Sequence, residues 1–216
     1  MDARLRPTGR SGILATSLDE LVRYFATGEG QLWERQALCK ARAVYGAFAA
    51  VGRAMEAVAD AAYGHEWSSA NAEEIIRVRR RLEDASRPGN LKRGSGGLVD
   101  VEFIVQMLQL KHAGSTPSLR DPNTLSALEV LHAAARLTGD DYQRLSESYR
   151  FLRTCEARLQ LLNTTARHEL PDEKAELDKL ASLLHYPDHQ ALLADFERHT
   201  HANRECFERI VRAEIG

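Results

Sequence analysis

In the segment DDYQRLSESYRFLRTCEARLQLLN, residues 140–163, the positions Leu145, Tyr149, Leu152, Glu156, Leu159 and Asn163 recur at alternating steps of four and three. That spacing draws one stripe along a helix and commits the segment to burial against other helices, because a strand would need a period of two. Glu156 is the single charge in the stripe. Arg153 stands three residues before it, within reach for an ion pair, and a polar interruption of this kind fixes the register of packed helices.

The rest of the chain follows the same rule. Only 6 prolines and 14 glycines occur in 216 residues, too few for a sheet protein with many turns. Ser17 precedes Glu20 at capping-box spacing, Asp121-Pro122 offers a cap followed by a first-turn proline, and Thr138-Gly139-Asp140-Asp141 marks a further start. Helices are expected at about 17–27, 30–42, 47–63, 71–86, 98–113, 122–137, 140–165, 172–184 and 189–213. The expected fold class is all-α, an elongated helical bundle. The exception is the N-terminus, where Asp2, Arg4 and Arg6 alternate with Ala3, Leu5 and Pro7. That period of two suggests a strand with its charges on one face, and a lone strand needs partners from elsewhere. A boundary falls near Gly46, dividing 1–46 from a bundle at 47–216.

Charge excludes little: 29 basic residues against 31 acidic give no global pull toward nucleic acid or anionic lipid. The scattered tryptophans and tyrosines form no stacking platform for single strands, so no nucleic-acid partner is expected. No run reaches the roughly 18 apolar residues of a membrane span, and MDARLRPTGR has no apolar signal core. Cys39, Cys155 and Cys206 are odd in number and outside any CxxC spacing, which suits a reducing, cytoplasmic setting. His185 and His189, and His199 and His201, lack the carboxylate or cysteine company of a ligand set.

The stretch KRGSGG, residues 92–97, invites comparison with a phosphate cradle. Lys92 and Arg93 precede the glycines, whereas a Walker loop carries its lysine after them, and the GxGxxG spacing is also absent. A glycine joint that brings two helices close is the expected role. In the helix that follows, Glu102, Gln106 and Gln109 form one polar stripe, with Val101, Ile104, Met107 and Leu108 around the opposite side. Asp100 falls amid the apolar side. Either it is a first-turn acid favoured by the helix dipole, or it points inward and meets an arginine, since a buried unpaired carboxylate is very costly.

Taken together, DARLRPTGRSG at 2–12, WERQALCKARAVYG at 33–46, GGLVDVEFIVQMLQL at 96–110 and YRFLRTCEARLQ at 149–160 resemble, in that order, the glutamine synthetase adenylyltransferases. The resemblance covers nearly the whole chain. It implies a bifunctional enzyme that attaches and removes AMP on glutamine synthetase under a PII signalling protein, with ATP and magnesium as cofactors. Each of two nucleotidyltransferase heads in that family is followed by a helical bundle. Asp2 matches the third carboxylate of such a head and would be a catalytic metal ligand, while the glycine-serine turn and the first two aspartates have no match. Residues 1–46 would then be the C-terminal remnant of a head, and termination after the last bundle helix favours the second, adenylylating copy. Arg4 and Arg6 would meet phosphates or pair with acids of the head. Asp100, Glu102, Arg153 and Glu156 match structural or interface positions of the bundle. Two other readings stay open: a noncatalytic helical interaction module, and a piece of the related PII uridylyltransferase.

Overall fold

The computed structural model describes residues 15–162 and 168–215. The expected strand with Asp2, Arg4 and Arg6, and Asn163 of the stripe, lie outside the described residues. Among the described residues the chain forms nine α-helices: α1 (Leu18–Ala26), α2 (Leu32–Leu38), α3 (Phe48–Tyr63), α4 (Ser69–Asp84), α5 (Leu98–His112), α6 (Thr124–Ala133), α7 (Gly139–Leu162), α8 (Lys174–Leu183) and α9 (His189–Ala213). The all-α expectation holds. A single isolated bridge, Asn90 to Glu169, is the only β pairing among these residues.

Local chemistry sets the helix starts. Ser17 and Glu20 form the expected capping box, with the Glu20 amide donating to Ser17 Oγ at 3.2 Å and the Ser17 amide to Glu20 Oε2 at 3.3 Å. At α2 the Gln31 amide donates to Glu34 Oε2 at 2.8 Å, and Tyr24 of α1 donates to the same oxygen at 2.8 Å, joining the two helices. Several boundaries differ from the sequence reading, and α2, expected at about 30–42, spans only Leu32–Leu38. α4 starts at Ser69, two residues early, because Asn71 caps back onto the Ser68 amide at 2.8 Å. α6 is shorter at both ends: Asn123, not Asp121, is its cap, accepting from the Leu125 and Ser126 amides at 3.0 and 3.2 Å. Its far end stops because Ala135 turns left-handed, φ 55°, and the Arg136 amide returns to the Leu131 carbonyl at 2.9 Å.

Helix α5 is the axis of the molecule, packed by α2, α3, α4, α6, α7 and α9, while α7 lies along α9 over the longest contact. Ile104, Met107 and Val101 are fully buried on it. The stripe on α7 points into the same core, with Leu145, Leu152 and Leu159 each at 0 % exposure. Three such leucines contribute roughly 1.5–3 kcal/mol each on burial, enough to hold one seated carboxylate, Glu156, in their midst. The polar stripe of α5 is not a solvent face. Gln106 and Gln109 are buried too, because α2 and α6 cover that side: Gln36 Nε2 donates to Gln106 Oε1 at 3.3 Å, and Gln109 Nε2 donates to the Leu119 and Asp121 carbonyls at 2.9 and 2.8 Å. Helix α5 is therefore enclosed on all sides rather than amphipathic.

Candidate functional site

Asp100 and Glu102 are two residues apart on α5, so the helix turns their side chains to nearly opposite sides. The structure accordingly separates the candidate residues into two polar clusters. Asp100 belongs to the first, between α4, α5 and α9. It is fully buried and pairs with Nε of Arg79, itself fully buried on α4. The Gly96 amide donates to Asp100 Oδ2 at 2.8 Å, and Arg204 Nη1 of α9 lies 3.4 Å from the same oxygen. Glu83 closes the cluster, pairing with Arg204 and lying 3.5 Å from Arg79 Nη1. Burial pushes the Asp100 carboxyl up, while the two guanidiniums and the Gly96 amide pull it down. Every one of these contacts is a donor, so the set is complete only for the carboxylate. The inward reading of Asp100 is the one the structure shows.

The same cluster explains the glycine stretch. A Cβ on Gly96 would lie 1.7 Å from the Thr200 carbonyl oxygen of α9, and Gly96 has φ 68°. Asn203 Nδ2 of α9 donates to the Gly96 carbonyl at 2.9 Å, and Arg79 Nη2 to that of Gly94 at 2.6 Å. The amides that a phosphate would need are already taken: Lys92 and Arg93 donate to Asn90 Oδ1 at 3.0 and 2.7 Å, Gly97 to Gly94, Leu98 to Leu91 and Val99 to Lys92, each at 3.0 Å. KRGSGG is a joint clasped by α4 and α9, not an anion cradle.

The second cluster runs along the other side of α5. Tyr149 of α7 donates to Glu102 Oε1 at 3.1 Å, Lys40, just beyond α2, lies 3.6 Å from that oxygen, and Lys40 donates to Thr124 Oγ1 at 2.5 Å. Burial and the Glu102 charge push the Tyr149 hydroxyl up to about 12, so it stays a donor. Two turns along α7, buried Glu156 receives Arg153 Nη1 and His168 Nδ1, the latter at 2.9 Å. His168 opens a short segment that lies on the joint: the Leu91 amide donates to the His168 carbonyl at 2.7 Å, Leu170 to Gly89 at 3.0 Å, and Asn90 Nδ2 to Glu169 Oε1 at 2.7 Å. Glu156 thus anchors the strap that holds the joint.

The partners in these clusters escaped the sequence reading. Arg79 sits on the same helical face as Ala72 and Ile75, both at 0 % exposure, so an arginine in phase with an apolar stripe was the available signal. Arg204, Asn203 and Lys40 carried none. Elsewhere Thr138 caps α7, accepting from the Asp141 amide at 3.2 Å and donating to Asp141 Oδ2 at 2.7 Å; Asp141 also pairs with Arg209, and Ser148 meets His199 Nδ1 at 2.9 Å.

These geometries bind helices to one another. Among the described residues no three His, Cys, Asp or Glu side chains converge to hold a metal ion, and the carboxylates of Asp100, Glu102 and Glu156 are occupied by cationic or hydroxyl partners. Among the described residues these three carboxylates are spent on their own partners and offer no converging oxygen set for magnesium. Asp2, Arg4 and Arg6 lie outside the described residues.

Comparison with known proteins places this helical architecture. A family model described as GlnD PII-uridylyltransferase matches residues 70–211, and one described as glutamate-ammonia ligase adenylyltransferase matches residues 1–58. Both descriptions name transferases of a nucleotidyl group, and the first covers most of the described helices. Curated relatives resolve this further. A bifunctional glutamine synthetase adenylyltransferase/adenylyl-removing enzyme of Stenotrophomonas maltophilia is 37% identical over 90% of this chain and 21% of its own length. Enzymes of the same name from Aromatoleum aromaticum and Streptomyces coelicolor are 34% and 38% identical, each over 97% of this chain and 22% of their own. The chain belongs to the glutamine synthetase adenylyltransferase family, and it spans about a fifth of the length of the curated relatives it matches.

Proposed function

We propose that this chain is the helical bundle, with the last part of a nucleotidyltransferase head, of an enzyme that adenylylates and deadenylylates glutamine synthetase. The observation that carries this reading is the similarity to enzymes of that name, which runs through both the 1–58 and the 70–211 stretches. The bundle supports the head and offers surface to glutamine synthetase or to a PII signalling protein, in the cytoplasm. Asp2 holds magnesium together with carboxylates of the head, and Arg4 and Arg6 face the ATP phosphates. Magnesium supplies charge neutralisation for in-line transfer when bound, and that clamp needs several carboxylates at one place. This chain brings Asp2 alone, since the carboxylates at the centre of the bundle are held by its own cations.

The chain by itself therefore transfers no AMP. The test is incorporation of labelled AMP into glutamine synthetase, with ATP and magnesium supplied, by this chain, by a longer protein that includes a complete head, and by the longer protein carrying Asp2→Asn. Transfer by the longer protein only is expected. Transfer by the 216-residue chain would overturn the reading, and full activity of the Asn variant would remove Asp2 from the metal site. The match of residues 70–211 to the uridylyltransferase model favours a second reading, a piece of a PII uridylyltransferase. Labelling of PII with UMP, instead of glutamine synthetase with AMP, by the longer protein would select it.

A further inference from the structure

One guanidinium donor of the first cluster is left over. Arg79 is fully buried, its Nε pairs with Asp100 and its Nη2 donates to the Gly94 carbonyl at 2.6 Å, but its buried Nη1 has no hydrogen-bond acceptor among the described residues. Glu83 Oε2 stands 3.5 Å from Nη1 without bonding it and is engaged by Arg204. A buried charged donor without an acceptor is costly, and each such atom calls for an explanation. Arg79 also forms part of the wall of a cleft of about 50 Å³ between α4 and α9. Arg80 of α4 and Arg204 and Arg212 of α9 share that wall, and its other sides are apolar apart from Glu208. Arg80 is exposed and takes part in no ion pair among the described residues. Arg204 and Arg212 divide Glu208 between them, at 3.4 and 3.2 Å. Even with Asp100 and Glu83 counted beside Glu208, four guanidiniums face three carboxylates.

Water suits such a place poorly. It brings two hydrogens along with its lone pairs, and Glu208 is the only side chain on these walls that accepts one. An oxyanion brings acceptors alone, and guanidinium groups match its oxygens with strong charge-assisted bonds. Donors that arrive from two helices call for acceptors in more than one plane, which a tetrahedral oxyanion has and a planar carboxylate lacks. The volume shuts out a whole nucleotide or cofactor, whose sites run to roughly 300 Å³ or more. We propose that the cleft between α4 and α9 is a binding site for a small tetrahedral oxyanion of the phosphate kind, held by Arg79 Nη1 and Arg80 from one helix and by Arg204 and Arg212 from the other. The ion supplies the acceptor that Arg79 lacks and ties the two helices together beside the joint. No residue of 1–46 takes part, so the site stands apart from the enzymatic reading.

Titration of the 216-residue chain with inorganic phosphate, at constant ionic strength in sodium chloride and followed by calorimetry, reads the site. Saturable binding of phosphate is expected, with sulfate competing for it and acetate about tenfold weaker. Arg80→Gln should weaken phosphate binding about tenfold, as loss of one charge-assisted contact does. Arg77→Gln removes the same charge from an exposed position of the same helix outside the cleft, and should change the affinity by less than about twofold. Glu208→Gln frees Arg204 and Arg212 of a competing carboxylate and should tighten binding about threefold. None of these three side chains is buried, so circular dichroism should show an intact fold in each variant. Absence of saturable binding overturns the proposal. Equal weakening by Arg77→Gln and Arg80→Gln also overturns it, by reducing the effect to diffuse attraction. So does phosphate binding that Arg80→Gln or Glu208→Gln leaves unchanged, or acetate binding as tightly as phosphate.

Discussion

At the scale of single residues, burial decides what a charge is worth. Asp100 and Arg79 are both fully buried, whereas the Arg153 side chain is 56% exposed in its pair with Glu156. Asp100→Ala strips the Arg79 guanidinium of its main partner where water cannot replace it, so urea unfolding should show a loss of about 3–5 kcal/mol. Arg153→Ala should cost less than about 1 kcal/mol, as exposed pairs do, since His168 remains on Glu156. Equal losses would show that burial does not set the hierarchy. Burial and the Arg198 cation hold His199 below the usual histidine range, with Asp195 and Glu147 opposing. The folded ring is neutral and meets Ser148 at 2.9 Å. Because the folded value is depressed, the unfolded chain takes up the proton first, and the contribution is intact above about pH 6.5 and lost as pH falls below it. Stability should therefore drop less between about pH 7.5 and 5.5 in His199→Gln than in the wild type. His65 and His112 are shifted the same way, so the slope should shrink without vanishing. An unchanged slope would mean that His199 titrates freely in the fold.

Between elements, glycine separates close packing from mere permissiveness. Gly96 lets the joint touch the backbone of α9 and has a left-handed φ of 68°, and a methyl there would meet the Thr200 carbonyl at 1.7 Å. Gly52 lies within α3 with nothing within 4 Å of a Cβ. Gly96→Ala should destabilise by more than about 1 kcal/mol, since neither its dihedral nor its space suits alanine. Gly52→Ala should stabilise by about 0.5–1 kcal/mol through helix propensity. Thermal melts of the two variants check both signs, and a tolerated Gly96→Ala would mean that α9 is not seated on the joint as described.

For the whole molecule, α5 couples the N-terminal helices to the rest. α2 packs on α5 and Gln36 reaches Gln106, so the first helices and the bundle should unfold together. In a Trp67→Phe background the only tryptophan is Trp33 on α2. Its fluorescence and far-UV circular dichroism should report coincident urea midpoints. Ile104→Ala, at the buried centre of α5, should lower both midpoints equally, for a loss of stability of about 2–5 kcal/mol. A Trp33 transition that precedes the circular dichroism would show the N-terminal helices to be a separate unit.

Helix positions were legible because each start or stop is written in a few neighbouring residues: Ser17 with Glu20, Thr138 with Asp141, and the four-three stripe of α7. The boundary errors at α4 and at the start of α6 came from caps that local sequence offers in duplicate, as Asp121 and Asn123 do, where the packed backbone selects one, while α2 stops at Leu38, short of the expected 42. The order of lysine and glycines in KRGSGG was enough to reject a Walker loop. What the sequence determined by itself was thus the set of helices, the buried face of α7 and the family. Partnership between distant positions was decided only in the folded state. Asp100 finds Arg79 across 21 residues and Arg204 across 104, and Gln106 is buried because α2 crosses it. Helical periodicity tells which side of a helix is apolar, but the neutralisation of a buried charge depends on which helix arrives opposite it, and that is a property of the assembled bundle.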